Sequence, residues 1–409
     1  MFIDNVECKV GAMEPLRILP AAETWMLLAF LFSCVLLTML FLSRLIPSLV
    51  PESHAQTRWI DGLRGFAAAI VALNHAPMVI TNLVVMPKVF YLDSVNSKIP
   101  MLFGATGVQL FFCITGLLFT SKIITKKTID WTDFYAKRVR RVVPVYFVAA
   151  TFSIIIAAWF SWPITQKPVE IIKALPGVYA FKFLPMPIIN EFDFKRLLGV
   201  SWTLAIEWRF YFALPIIYIA AKKSINATLA AIIIFAIVDL WLSELSSWAF
   251  FIPGALSSFV MSKHFSKQVR TIASFVAVAA LIIIFYRVGD KPDYGLEQWI
   301  SVSILFTALT ISRPRLLSAR MFVAMGTVSY SFYLLHCMVL FLVFGAAHRY
   351  WTDVGLLSIT NFSLLAGITM CLVSFISTAS YIFIERRFMH KSSDVHAKIV
   401  QGDTSLVQP

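Results

Sequence analysis

Charge is what this chain has least of. Only 14% of its 409 residues are Asp, Glu, Lys or Arg, against roughly a quarter in an ordinary soluble domain. A soluble fold of this length needs far more polar surface, so a soluble enzyme and a disordered chain are both excluded. Cysteine is equally uninformative. Four of the five cysteines (Cys34, Cys113, Cys337 and Cys371) lie in apolar runs and Cys8 stands alone. No CxxC or Cys/His spacing marks a disulfide scaffold or a metal site, so no metal is expected. No repeat of fixed period or inverted repeat is visible. The flank of the first apolar run carries Glu14 and Glu23 in place of a basic cluster, which argues against a cleaved leader.

What the chain has in abundance is apolar residues, 59% of the total. They fall in blocks of about twenty, the length that crosses a bilayer core as a helix. Eleven such blocks are read, at 25–46, 62–82, 101–121, 142–162, 201–221, 225–243, 248–262, 271–286, 297–312, 321–345 and 361–384. The expected fold is an all-α polytopic membrane bundle of about eleven helices. The seventh block contains Pro253 and Gly254 and is expected to be broken or tilted. The long loop 163–200, rich in proline and aromatics, is expected to lie on the membrane surface or over a cavity.

The net charge of +13 then acquires a place. With residues 1–24 outside and alternating spans, most Lys and Arg fall in the inner loops, as the positive-inside rule requires. The N-terminus is predicted outside and the C-terminus in the cytoplasm, and no nucleic-acid partner is needed to explain the charge.

Ionisable residues inside spans are expensive and mark functional sites. Arg64 and His75 stand eleven residues apart in the second span, almost three full turns, and so share a face about 16 Å apart along the axis. The plain alternative is a snorkelling arginine and a histidine satisfied by a neighbouring helix. Four of the five residues 137–141 are basic. Arg138 and Arg141 share a face at i, i+3 and suit a phosphate-rich ligand, or simply mark topology. In the fifth span Thr203, Glu207 and Tyr211 form a polar stripe, while Glu207 and Arg209 point to nearly opposite faces, so each needs a partner elsewhere. Ser329, Tyr333 and His336 share one face of the tenth span, with Tyr330 beside them, an arrangement that also suits interhelical hydrogen bonding.

Five blocks, in this order, resemble the acyltransferase 3 family of membrane O-acyltransferases that modify cell-surface sugars. They are Arg64 to His75; Gly107-Val108-Gln109-Leu110-Phe111-Phe112; Arg138-Val139-Arg140-Arg141-Val142-Val143-Pro144; Ser201-Trp202-Thr203-Leu204-Ala205-Ile206-Glu207; and Ser329 to His336. The resemblance runs from about Arg58 to Phe388. Two features depart from it: Gln109 stands where the family commonly has Asp, and the helix 25–46 precedes the family's usual ten. Some relatives carry a C-terminal hydrolase-like domain that these residues do not. The implied division is residues 1–57 as an extension with one helix, 58–388 as the membrane acyltransferase domain, and 389–409 as a cytoplasmic tail.

The resemblance implies an acyl-CoA donor, most simply acetyl-CoA, and a carbohydrate or lipid-linked sugar acceptor, in a bacterial inner membrane. On that reading Arg138, Arg141 and Arg64 hold the coenzyme phosphates and His75 is the general base, or less simply an acyl carrier. Glu207 orients the imidazole or pairs with an arginine, and Ser201, Trp202, Tyr211, Tyr333 and His336 line the substrate site. The rival is a secondary transporter or lipid-linked sugar translocator, in which the same intramembrane charges couple protons.

Overall fold

The computed structural model describes residues 17–52, 57–83, 90–91, 98–125, 128–243, 246–286 and 293–389. The helices are α1 (Ala21–Leu45), α2 (Arg58–Leu83), α3 (Lys98–Thr125), α4 (Trp131–Phe160), α5 (Pro168–Tyr179), α6 (Lys195–Leu198), α7 (Trp202–Lys223), α8 (Ile225–Ser243), α9 (Phe251–Met261), α10 (Lys267–Tyr286), α11 (Leu296–Ser312), α12 (Arg320–Tyr350) and α13 (Ile359–Ser380). The described strands form two two-residue pairs: Arg17–Ile18 with Phe90–Tyr91, parallel, and Ile188–Ile189 with Phe192–Asp193, antiparallel. Among the described residues nine helices are long and apolar enough to cross a membrane, and two shorter apolar ones cover Ser247–Met261 and Leu296–Ser312. Together these occupy the eleven blocks read from the sequence. Residues 390–409 of the expected tail and residues 1–16 of the extension lie outside the described residues.

The core lies between α2 and α12, with α3 and α9 on one side and α1 and α13 on the other. Backbone contact sets these distances. A Cβ at Gly326 of α12 would fall 1.9 Å from the carbonyl oxygen of Asp61 in α2, and one at Gly254 of α9 would fall 1.8 Å from that of Cys113 in α3. Small residues allow this in lipid, where helices associate through packing rather than exclusion of water. Gly254→Ala is therefore expected to push α9 off α3 at a cost of about 1–3 kcal/mol, read as a lower thermal midpoint in detergent. An unchanged midpoint would show that the contact is slack.

The seventh block is not broken. It opens as a 3₁₀ turn, Ser247–Phe250, and continues as α9 without a break. Pro253 has no N–H to give to the Ala249 carbonyl one turn back, and the Trp299 indole donates to that carbonyl instead at 2.9 Å. The loop 163–200 contains α5, whose residues Val169 and Ile172 are exposed. Outward apolar faces are the rule here. Only Ala236 and Leu240 are buried among the residues of α8, while Phe235, Trp241 and Leu242 are exposed, as suits helices solvated by hydrocarbon.

Part of the basic excess serves as helix caps. Arg270 donates to the Ser312 carbonyl from Nε at 3.2 Å and Nη2 at 3.1 Å, Arg313 donates to the Met261 carbonyl, and Arg320 to the Ser43 carbonyl. These are the unpaired last carbonyls of α11, α9 and α1. Arg320 thereby ties the extra helix α1 to α12. Gln109, fully buried, donates to the Asp293 carbonyl at 2.6 Å and accepts from Gln298 at 3.0 Å. It fastens α3 to the start of α11, a role an amide fills and a carboxylate could not. Burial raises the Asp293 carboxyl above its ordinary pKa, and Lys98 opposes the rise.

Candidate active site

The three arginines singled out by the sequence meet in one cavity. Arg64 of α2 and Arg138 and Arg141 of α4 line a space of about 260 Å³ with Glu207 and Tyr211 of α7 and Tyr333 of α12. Asp130 starts α4 by accepting from the Asp133 backbone N–H at 3.0 Å. The helix then runs unbroken through the basic cluster into the span. Its register against α12 is fixed by Tyr330, whose hydroxyl donates to the Val142 carbonyl at 2.7 Å.

Each arginine is held differently. The Arg138 guanidinium lies over the Phe119 ring, 5.1 Å from its centroid, and 5.9 Å from that of Tyr211. Its Nε is buried and has no hydrogen-bond acceptor. Arg141 pairs with Glu385, Nε to Oε1 3.6 Å, and Glu385 is fully buried. Ser331 donates to the other carboxylate oxygen at 3.1 Å. Arg64 feels the charges of Arg141, Asp61, Glu385 and Arg138. Arg140, in the same basic run, is exposed.

Glu207 accepts from the Tyr211 hydroxyl and, at 3.4 Å, from Thr115. It therefore faces the cavity, one turn from its own tyrosine, and not the imidazole of His75. The partner of His75 is His336, with ring centroids 5.2 Å apart. The His336 Nδ1 hydrogen donates to the Phe332 carbonyl at 3.2 Å. That bond leaves the Nε2 lone pair free, and the Cys337 thiol approaches it at 3.4 Å; the tautomer follows from these partners.

Tyr333 joins the two regions. It lines the cavity, stands 6.0 Å from the His336 ring and 5.7 Å from Phe111, and is fixed by Thr203 at 2.8 Å and the Val200 carbonyl at 3.2 Å. Polar arginines thus lie on one side of this tyrosine and paired imidazoles on the other. Ser201 and Trp202 stay apart from the cavity lining: Ser201 is fully buried at the head of α7, and Trp202 packs edge-on to Tyr294 at 5.9 Å.

The same geometry that pairs the imidazoles brings His75, His336 and Cys337 together, with ligand atoms all within 4.8 Å of one another. Sequence spacing gave no sign of this cluster because His75 lies more than 260 residues from the other two. Its nitrogen and sulfur donors are of the type that suits zinc.

A family model described as an acyltransferase domain matches residues 57–378. The chain belongs to the acyltransferase 3 family. It is 24% identical over 328 residues to the O-acetyltransferase OatA of Staphylococcus aureus, covering 69% of this chain and 50% of that protein. It is also 24% identical over 313 residues to an O-acetyl transferase of Shigella phage Sf6, covering 71% of this chain and 86% of that one. The chain thus spans about half the length of OatA. No solved structure matches it. The blocks that carry the acyltransferase 3 resemblance fall on α2, α3, α4, α7 and α12. Four of them, all but the block on α3, contribute charged or titratable groups to the cavity or the imidazole pair.

Two members of the site are not evident from the sequence. Thr115 lies in a plain apolar run. Glu385 sits at the end of the last span beside Arg386 and Arg387, where it reads as an interfacial charge. A π-helical turn, Tyr381–Glu385, aims it inward, and such turns concentrate at functional sites.

Proposed function

We propose that this acyltransferase 3 protein is an O-acetyltransferase, moving an acetyl group from acetyl-CoA to a hydroxyl of a cell-envelope or secreted carbohydrate. The observation that carries this reading is a cavity with Arg64, Arg138 and Arg141 in its wall, bounded by Tyr333, whose ring stands 6.0 Å from that of His336, the partner of His75. The names of the two relatives support acetyl as the group transferred, and the membrane bundle supports an acceptor presented at or across the bilayer.

The donor fits the side chains. Guanidinium groups match phosphate geometry, and the buried Arg138 Nε awaits an acceptor. At about 260 Å³ the cavity lies just below the usual ligand-pocket range of roughly 300–1,000 Å³. It therefore takes the narrow arm of the donor, with the phosphates at the arginine mouth. When bound, acetyl-CoA would supply the acetyl carbon as a thioester. His75 takes the proton from the acceptor hydroxyl as the new C–O bond forms. As the C–S bond breaks, the imidazolium returns that proton to the departing sulfur. His336, locked by the Phe332 carbonyl, holds the ring of His75 in place. Glu207 and Tyr211 set the polarity of the approach.

The arginine mouth faces the cytoplasm in this reading, with the N-terminus outside, the C-terminus inside and the chain in a bacterial inner membrane. Residues 58–388 form the catalytic unit, α1 is an accessory helix fastened through Arg320, and 389–409 a cytoplasmic tail. The acceptor, free or lipid-linked, enters from the opposite side. The family assignment leaves the translocator reading without support.

Arg138→Ala tests the donor site. Loss of a charge-assisted contact of about 1.5–3 kcal/mol raises the KM for acetyl-CoA by roughly tenfold or more, with a smaller change in kcat. An unchanged KM would reduce the basic cluster to a topology signal.

A further inference from the structure

A second cavity lies apart from the arginine cluster. It is a lateral groove of about 540 Å³ on the other face of α7, walled by α3, α7, α8 and α9. Ile123, Phe210, Leu229, Ile232, Ile252 and Phe259 are typical of its lining. Phe210 and Phe251 stack at its base, with centroids 4.1 Å apart. None of its lining residues is shared with the arginine cavity. Because α8 buries only two side chains against the body of the protein, the groove opens to the side, where acyl chains surround the bundle.

One residue is out of character there. Arg209 is the groove's single charged lining residue, and it is exposed into it. It lies seven residues after Trp202, about 10 Å below that end of α7. A guanidinium at hydrocarbon depth is costly and calls for an anion. No carboxylate among the described residues forms an ion pair with it. At the same end of the groove Asp239 is already engaged, accepting from Ser246 and, at 2.7 Å, from the Trp248 indole. Glu207, two residues away on α7, turns to the opposite cavity.

An apolar trough ending near one guanidinium with no ion pair among the described residues has the chemistry of an anionic lipid turned inside out. We propose that the groove binds an anionic glycerophospholipid, with an acyl chain along α8 and α9 and the phosphate on Arg209. Snorkelling brings the guanidinium toward the Trp202 end of α7, where the head group lies. The site is separate from the acetyl-transfer reading and stands if that reading fails.

The test uses the full chain in detergent, titrated with phosphatidylglycerol or phosphatidylcholine and read by native mass spectrometry. Wild-type protein is expected to retain one phosphatidylglycerol in preference to phosphatidylcholine. Arg209→Gln should weaken phosphatidylglycerol binding by roughly tenfold or more and leave phosphatidylcholine binding unchanged. Leu229→Trp, which fills the trough, should weaken both. Equal retention of the two lipids by wild-type protein, or undiminished phosphatidylglycerol binding by Arg209→Gln, would overturn the proposal. So would undiminished binding of both lipids by a folded Leu229→Trp variant.

Discussion

His75→Ala is expected to lower acetyl transfer by about 10²–10⁴-fold, the range that a positioned general base, the role proposed for His75, contributes, and to leave the bundle folded. The imidazole is half-buried and faces the ring of His336. The change removes a half-buried polar group and leaves the surrounding apolar core in place, so the thermal midpoint should stay within a few degrees of wild type. His75→Gln, which keeps a polar side chain of similar length without a base, should be as inactive as the alanine variant. Activity within a few-fold of wild type in either variant would remove His75 from the chemistry. His336→Ala separates the roles further. If His336 acts by holding His75, kcat falls less than in His75→Ala and the KM for acetyl-CoA is unchanged.

Glu385→Ala is expected to destabilise the protein by about 3 kcal/mol, near the lower end of the 3–5 kcal/mol for breaking a buried pair. Glu385 is fully buried and Arg141 retains 24% side-chain exposure, so solvent relieves part of the stranded charge and the upper end is not reached. The loss also reaches the proposed donor site. Arg141 loses its anchor to the π-helical turn, and Ser331 loses its acceptor. Binding of acetyl-CoA should weaken together with thermal stability. Glu385→Gln keeps an acceptor for Ser331 and should fall between the two. Thermal melts and donor titrations on the three proteins check this; a Glu385→Ala protein with wild-type midpoint would mean that the pair contributes nothing.

The spans were legible because hydropathy in blocks of about twenty has few other meanings. Their ends were not. α4 begins at Trp131 rather than near 142 because its first three turns are charged, and hydropathy registers the membrane rather than the helix. α5 escaped for a related reason: it lies in a loop of mixed composition, and its length is too short to span. The cavity was legible in part. Arg64, Arg138, Arg141, Glu207, Tyr211 and Tyr333 announced themselves as polar groups in apolar runs and do share a wall. Ser201 and Trp202 announced themselves equally and lie elsewhere. Periodicity gives the face of a helix, whereas the neighbour across it depends on how helices pack. Glu385 needed the π-helical turn, a shift of register that no spacing rule foresees. The His75–His336 pairing needed α2 and α12 to meet, which the closeness of Gly326 to the Asp61 carbonyl permits.

The most direct test of the whole account uses purified protein in lipid, labelled acetyl-CoA and the carbohydrate of the parent cell envelope. Free CoA and label in an alkali-labile ester on the carbohydrate should appear together, only when both substrates are present, and should vanish with His75→Ala. Acceptor-free counterflow of a solute without CoA release, or ester formation that survives loss of His75, would contradict it.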